Sequence, residues 1–185
     1  MKDQEHRPIS ESYWVISGRF LAGEYPGTRE EYFTRQRLDA LIEAGFDTFI
    51  DLTQDNELFP YEPILFEQAA IYDVRVAYDR FAIGDFGLPT PALMNAILDR
   101  IEERLQSGHN VYLHCWGGIG RTGTTVGCYL VRQGNTAEQA LAQLSGWWRH
   151  VPKSLYHPYS PETREQVNFI RTWARHDTTL QESQT

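Results

Sequence analysis

A cysteine and an arginine stand with five residues between them in the stretch Val111-Tyr112-Leu113-His114-Cys115-Trp116-Gly117-Gly118-Ile119-Gly120-Arg121-Thr122-Gly123-Thr124, among glycines at 117, 118, 120 and 123. The run Val111-Tyr112-Leu113 is short, apolar and rich in β-formers, so it predicts a buried strand. The apolar segment from Thr124 to Val131 predicts a helix beyond the glycines. Strand, glycine-rich loop and helix together make a cradle for an anion. The loop turns several backbone N–H groups inward, and the helix N-terminus adds partial positive charge.

Cys115 opens this loop and Arg121 closes it. The glycines let the backbone fold tightly round a tetrahedral oxyanion. Trp116, Gly117, Gly118, Ile119 and Gly120 would line it, with Trp116 at the rim or packed beneath. The planar guanidinium of Arg121 offers a fork for two of the oxygens. The same donors favour a thiolate at Cys115, the nucleophilic form of sulfur. A thiolate beneath a bound phosphate is what phosphoryl transfer to sulfur requires. Thr122 is placed to hydrogen-bond the sulfur as it departs, and His114 to order the backbone from behind. A small cysteine buried at the end of a core strand is the plainer reading. The agreement of nucleophile, spacing, glycines, arginine and hydroxyl weighs against it.

The segment from His114 to Gly123 resembles the signature of the cysteine-dependent protein tyrosine phosphatases: His-Cys, five residues, Arg, then Ser or Thr. Its Gly-Gly-x-Gly-Arg interior is most similar to that of the kinase-associated dual-specificity phosphatases. The resemblance implies the protein tyrosine phosphatase-like fold, a cysteinyl-phosphate intermediate and no cofactor. It also implies a phosphorylated protein or peptide as substrate, phosphotyrosine ahead of phosphoserine or phosphothreonine. Phosphoinositide-type relatives tend to carry lysines in this loop, and here there are none. A rhodanese-type sulfur-transfer loop is also similar, but is usually shorter between cysteine and arginine. A phosphopeptide-binding module that keeps the cradle and does little chemistry is the other alternative.

Phosphoryl transfer to Cys115 expels an alkoxide or phenoxide, which a nearby carboxylic acid must protonate. The stretch from Tyr78 to Pro89 offers Asp79 and Asp85. Asp85, between Gly84 and Gly87, suits the tip of an exposed loop. The segment Ile83-Gly84-Asp85-Phe86-Gly87-Leu88-Pro89 also resembles the acid loop of the family, so Asp85 is favoured over Asp79. Ser160-Pro161-Glu162-Thr163-Arg164-Glu165-Gln166 resembles a late segment of the family that, in some relatives, brings a glutamine to the hydrolytic water. Read from the sequence, Gln166 is better taken as a solvated helix residue. Asp51 and Glu57 are better taken as turn and surface carboxylates, Tyr61 and Phe86 as walls of the pocket entrance. Trp147, Trp148, Trp173 and Cys128 are expected to pack in the core.

At 185 residues with net charge −8, the chain is large enough for one domain with a substantial core and carries no sign of a nucleic-acid binder. Its Lys and Arg residues form no cluster for an anionic membrane, and no run approaches the roughly 18 apolar residues of a spanning helix. The polar start, without a secretory segment, and two cysteines point to a reducing, cytoplasmic setting. The histidines at 109, 150 and 157 lack metal-ligand spacing. Alternating strand and helix patterns predict a single α/β domain over residues 1–185, a mostly parallel central sheet flanked by helices. Residues 1–10 and 177–185 are expected to be flexible ends. Among the elements, the pattern predicts a helix over 29–44 with Thr28 and Glu31 as capping box and Tyr32 facing inward. It also predicts a strand over 74–78 and a last helix over 161–174, with Val167, Ile170 and Trp173 buried.

Overall fold

Short runs of β-branched and aromatic residues form β1 (Ser12–Ile16), β2 (Phe20–Gly23), β3 (Thr48–Asp51), β4 (Ala77–Arg80) and β5 (Val111–His114). The computed structural model describes residues 7–182. In it these strands make one sheet in the order β1-β2-β5-β3-β4. β1 and β2 form an antiparallel hairpin, and β2, β5, β3 and β4 run parallel. The helices are α1 (Glu31–Glu43), α2 (Glu62–Ile71), α3 (Pro91–Gln106), α4 (Gly120–Arg132), α5 (Ala137–Trp148), α6 (Arg164–Thr172) and α7 (Thr178–Glu182). This is the single α/β domain that the alternating pattern predicts.

Successive residues of a strand point to opposite faces, and both faces here are covered, as a parallel sheet requires. Phe20, Ile50 and Leu113 join Ile97 and Ile101 of α3, Val126 of α4, Leu144 of α5 and Ile170 of α6. Their neighbours Leu21, Phe49 and Tyr112 join Leu38 and Leu41 of α1 and Leu65 of α2. The crossovers β2 to β3 and β3 to β4 thus use one face, and the crossover β4 to β5 the other. The carboxyl end of β5 lies where the winding changes face, the position at which open α/β sheets form crevices.

Several elements depart from their expected form. Thr28 does not cap α1: its hydroxyl donates to the Glu30 carbonyl (2.7 Å), and its amide donates to buried Thr34 (2.8 Å). The helix therefore starts later, with Glu30 at its cap, and Tyr32 is 65% exposed. β4 begins at 77 rather than 74, because Asp73 takes a left-handed φ of 54° and the Val74 amide closes back onto Ala69 at the end of α2. That shift places Asp79 inside the strand. α6 begins at Arg164, not Pro161. A capping box between Thr163 and Gln166 sets its start, and Ser160 instead donates to the Ile119 carbonyl.

The chain ends differ too. Residues 1–6 and 183–185 lie outside the described residues, but Ile9 is buried, and Arg7 donates to the carbonyls of Ser12 and His150. Asp177, expected in a polar tail, is fully buried. It accepts from Arg132 Nε (2.7 Å) and Trp173 Nε1 (2.8 Å). Without Asp177, Arg132 keeps Asp99 as an ionic partner (2.6 Å), but its Nε and Trp173 Nε1 become buried donors without an acceptor. Asp177→Ala should therefore lower the unfolding free energy by about 1–3 kcal/mol, read from urea denaturation. A loss below about 1 kcal/mol, the range of exposed pairs, would show that the pair is hydrated in solution.

Candidate active site

Cys115 is the first residue beyond β5 and lies 3% exposed at the base of the loop that leads to α4. The loop's carbonyls are held from outside. That of Trp116 accepts from the Tyr25 amide (2.9 Å), that of Gly117 from Lys153 Nζ (3.2 Å), and that of Ile119 from Ser160 Oγ (2.8 Å). Across a trans peptide the N–H points opposite to the carbonyl. The amides of Gly117, Gly118 and Gly120 therefore face the inner side, as an anion cradle needs. Gly118 makes the crossing: its φ is +74°, and a Cβ there would stand 2.5 Å from the Gly23 carbonyl carbon. Trp116, 56% exposed, forms the rim, and Ile119 is buried.

Arg121 sits on the first turn of α4, only 2% exposed. Its Nη2 and Nη1 donate to Glu57 Oε1 (2.7 Å) and Oε2 (2.8 Å), a two-pronged grip. Nη1 also donates to the Ile83 carbonyl (3.0 Å), and Nη2 to Asp85 Oδ1 (3.0 Å). Burial works to raise the Glu57 carboxyl, but the hydrogen bonds from Arg121 and the Gln54 amide outweigh it and hold it below its ordinary value. Glu57 is thus no free surface carboxylate; it orients the arginine.

The two candidate acids are separated. Asp85 lies on the loop between β4 and α3, turned by a bond from the Gly87 amide to the Gly84 carbonyl (2.8 Å). Its Oδ1 accepts from the Phe86 amide as well as from Arg121. Asp79 is instead paired with Arg100 of α3 at 2.8 Å. Thr122 is fully buried beneath the loop, and its hydroxyl has no hydrogen-bond partner, Cys115 included.

Behind the loop lies a buried polar cluster. His114 pairs through Nε2 with the Tyr61 hydroxyl (2.7 Å) and through Nδ1 with the Cys115 carbonyl (3.3 Å). Tyr61 is therefore a buried support, 1% exposed, and not a wall of the entrance, whereas Phe86 is exposed beside Asp85. Asp51, fully buried, accepts from the Thr53 amide and hydroxyl, from Tyr78 and from Arg80. Burial alone would raise its carboxyl; nearby His114 and these donors more than compensate and lower it. Burial pushes the His114 imidazole below its usual value, against the pull of Asp51.

Gln166 is not solvated: it is fully buried, shares the α6 capping box, and donates from Nε2 to the Gly87 carbonyl (3.3 Å), tying α6 to the Asp85 loop. Glu162, which the sequence did not single out, lies close to Gly120, where an added Cβ would stand 2.7 Å from its Oε2, and burial and the nearby Asp85 raise its carboxyl. Trp148, Trp173 and Cys128 are core residues and Trp147 packs against that core. Burial pushes the Cys128 thiol well up. Among the described residues, no helix is long and apolar enough to cross a membrane.

A family described as "PTP-SAK: Swiss Army Knife protein, DSP-PTPase phosphatase domain" matches residues 10–183. The chain belongs to that family. Mouse "Protein tyrosine phosphatase domain-containing protein 1" is 39% identical to this DSP-PTPase domain over 181 residues, covering 89% of the chain and 21% of the mouse protein. The domain thus spans about a fifth of that relative's length. Among solved structures, Tk-PTP in its active form shares 25% identity at a TM-score of 0.68, covering 89% of this chain and 97% of its own. The kinase associated phosphatase, at 19% identity and a TM-score of 0.71, covers 92% and 97% and shows the same fold.

Two outcomes follow from this geometry. Glu57→Gln removes the charge that orients Arg121. Orthovanadate should bind the DSP-PTPase domain about tenfold more weakly, near the lower end for a hydrogen bond to a charged group. Unchanged affinity by competition titration would mean that Ile83 and Asp85 hold the arginine alone. The second outcome concerns pH. The folded imidazole of His114 lies below the ordinary 6.5. Its contribution to stability is therefore full above that pH and is lost as pH falls toward the folded value. The melting temperature of the wild type should decline more steeply below about pH 6.5 than that of His114→Gln, and parallel curves would exclude a buried neutral ring.

Proposed function

We propose that this domain hydrolyses phosphorylated protein or peptide, phosphotyrosine ahead of phosphoserine and phosphothreonine, through a cysteinyl-phosphate intermediate. The observation that carries this reading is the meeting of three chain segments at one guanidinium. Arg121 is one loop away from Cys115, is gripped by Glu57, and is bonded to Asp85. In this reading the Cys115 thiolate attacks phosphorus, while Arg121 and the amides of Gly117, Gly118 and Gly120 hold the equatorial oxygens. Asp85 leaves Arg121 as the phosphate enters and protonates the departing oxygen. It then takes a proton from the water that hydrolyses the cysteinyl-phosphate. The orphan hydroxyl of Thr122 meets the sulfur as it leaves.

The substrate class draws support from the surroundings. A cavity of about 550 Å³ is lined by Trp116, Leu58, Phe59 and Pro60 together with Arg29, Arg37 and Lys153. It offers room for residues that flank a phosphorylated side chain. A binding module needs the cradle but has no use for a carboxylate on the loop at Asp85. A sulfur-transfer protein has no use for it either.

The test is hydrolysis of p-nitrophenyl phosphate and of a phosphotyrosine peptide, without added metal. Cys115→Ser should abolish turnover, and Asp85→Asn should slow it by about 10²-fold, the lower range for general acid catalysis. Orthovanadate should inhibit the wild type. A wild type that binds orthovanadate yet turns over neither substrate would establish the binding module instead. Turnover of thiosulfate with indifference to orthovanadate would establish sulfur transfer.

A further inference from the structure

The cradle loop turns three carbonyls outward, and they meet different donors. The Trp116 carbonyl accepts from the Tyr25 amide and the Ile119 carbonyl from the Ser160 hydroxyl, both neutral. Of the three, only the Gly117 carbonyl accepts from a cation, Lys153 Nζ at 3.2 Å. Lys153 lies on a single turn of 3-10 helix, Pro152–Leu155, that follows α5. It is held at both ends. Its backbone amide donates to Glu11 Oε2 (3.0 Å), next to β1, and its ammonium also donates to Glu24 Oε2, just past β2. Glu24 is ion-paired in turn with Arg37 of α1 (2.8 Å).

We propose that Lys153 is a positioning residue of the cradle, fixing and polarising the Gly117–Gly118 peptide so that the Gly118 amide is presented to the bound oxyanion. The inference rests on the phosphatase reading and deepens it. One peptide group carries both effects. Its carbonyl takes the ammonium on the outer side, and its N–H, that of Gly118, points the opposite way. A cation at the carbonyl strengthens the N–H as a donor, because bonded groups in a chain polarise one another.

This peptide needs an external hold more than its neighbours do. It stands between two glycines, and Gly118 has a φ of +74°. Without a Cβ on either side, little steric resistance opposes a turn of the peptide plane, and such a turn would aim a carbonyl oxygen at the anion. The ammonium opposes it, since in the turned plane it would face an N–H instead of an acceptor. Glu24 sets where the ammonium stands without cancelling it: two cations, Lys153 and Arg37, share the one carboxylate. A lysine has three donors, so the bond to Glu24 leaves others for the Gly117 carbonyl. Lys153 also lines the cavity of about 550 Å³ beside Trp116. Direct contact with residues that flank the phosphorylated side chain is therefore the competing role.

The experiment compares Lys153→Met and Lys153→Arg with the wild type. Orthovanadate affinity, urea unfolding, and kcat and KM on p-nitrophenyl phosphate and on a phosphotyrosine peptide are measured for each. Lys153→Met should weaken orthovanadate binding by about tenfold, near the lower end for a hydrogen bond to a charged group. It should lower kcat on p-nitrophenyl phosphate as well, since an amide aimed at the equatorial oxygens acts on the transition state. Lys153→Arg, which keeps a cation and a donor, should restore most of both. If Lys153→Met does not fold, Lys153→Gln takes its place. Unchanged orthovanadate affinity and kcat, with only the urea midpoint lowered, overturn the proposal, because Lys153 then merely straps its segment to β2. A loss confined to KM for the phosphotyrosine peptide overturns it too, since Lys153 would then be a binding group of the cavity. A wild type inactive on both substrates fails the phosphatase reading itself, and the orthovanadate comparison still decides the role of Lys153.

Discussion

The grip of Glu57 on Arg121 fixes the rest of the site. A guanidinium that is almost wholly buried must be paired, because an isolated buried charge is costly. Glu57 supplies the pair with both oxygens, and the Ile83 carbonyl takes a further donor. The result is an arginine whose plane is set by the protein before any ligand arrives. Pre-set donors lose little on binding an oxyanion and cost no reorganisation during reaction. Asp85 completes the arrangement as a partner that can be exchanged. Only one nitrogen of the guanidinium reaches it, against two for Glu57, and its side chain is 41% exposed, against 14% for Glu57.

The fold delivers these groups from distant parts of the chain to one edge. β5 brings Cys115, the loop after β3 brings Glu57, and the loop after β4 brings Asp85, all at the carboxyl ends of neighbouring parallel strands. The segment before α6 closes the fourth side. Ser160 pins the Ile119 carbonyl, and Gln166 reaches the Gly87 carbonyl. Two glycines make this closure possible. A Cβ at Gly120 would collide with Glu162 and Gln166, and one at Gly123 would stand 2.4 Å from Ser160 Oγ. The glycines of the signature therefore serve the contact with α6 as well as the turn around the anion.

How much of this was legible in the sequence depends on distance along the chain. The cradle itself was, because nucleophile, glycines, arginine and helix start are contiguous and each carries a local physical meaning. The place of Asp85 on a loop was legible from its flanking glycines, whereas the place of Asp79 inside β4, paired with Arg100, was not. Glu57 was read as a surface group because its partner is 64 residues away, and nothing local distinguishes a charged loop residue that finds an arginine from one that faces water. Tyr61 and Gln166 were misplaced for the same reason. The hydroxyl of Tyr61 and the amide of Gln166 look solvent-directed until the fold supplies a buried acceptor or donor. Thr28 shows the opposite failure. A valid local cap signal lost to a competing hydrogen bond with Thr34.

The charge balance of the site explains why the acidic groups are not a liability to an anion-binding pocket. Glu57 is consumed by Arg121 and contributes orientation more than field. Asp85 is paired with the same guanidinium, which offsets its charge. Two acidic groups are thereby held on one guanidinium, so what an anion meets at the cradle is set by the pairing of Arg121 and not by two free carboxylates.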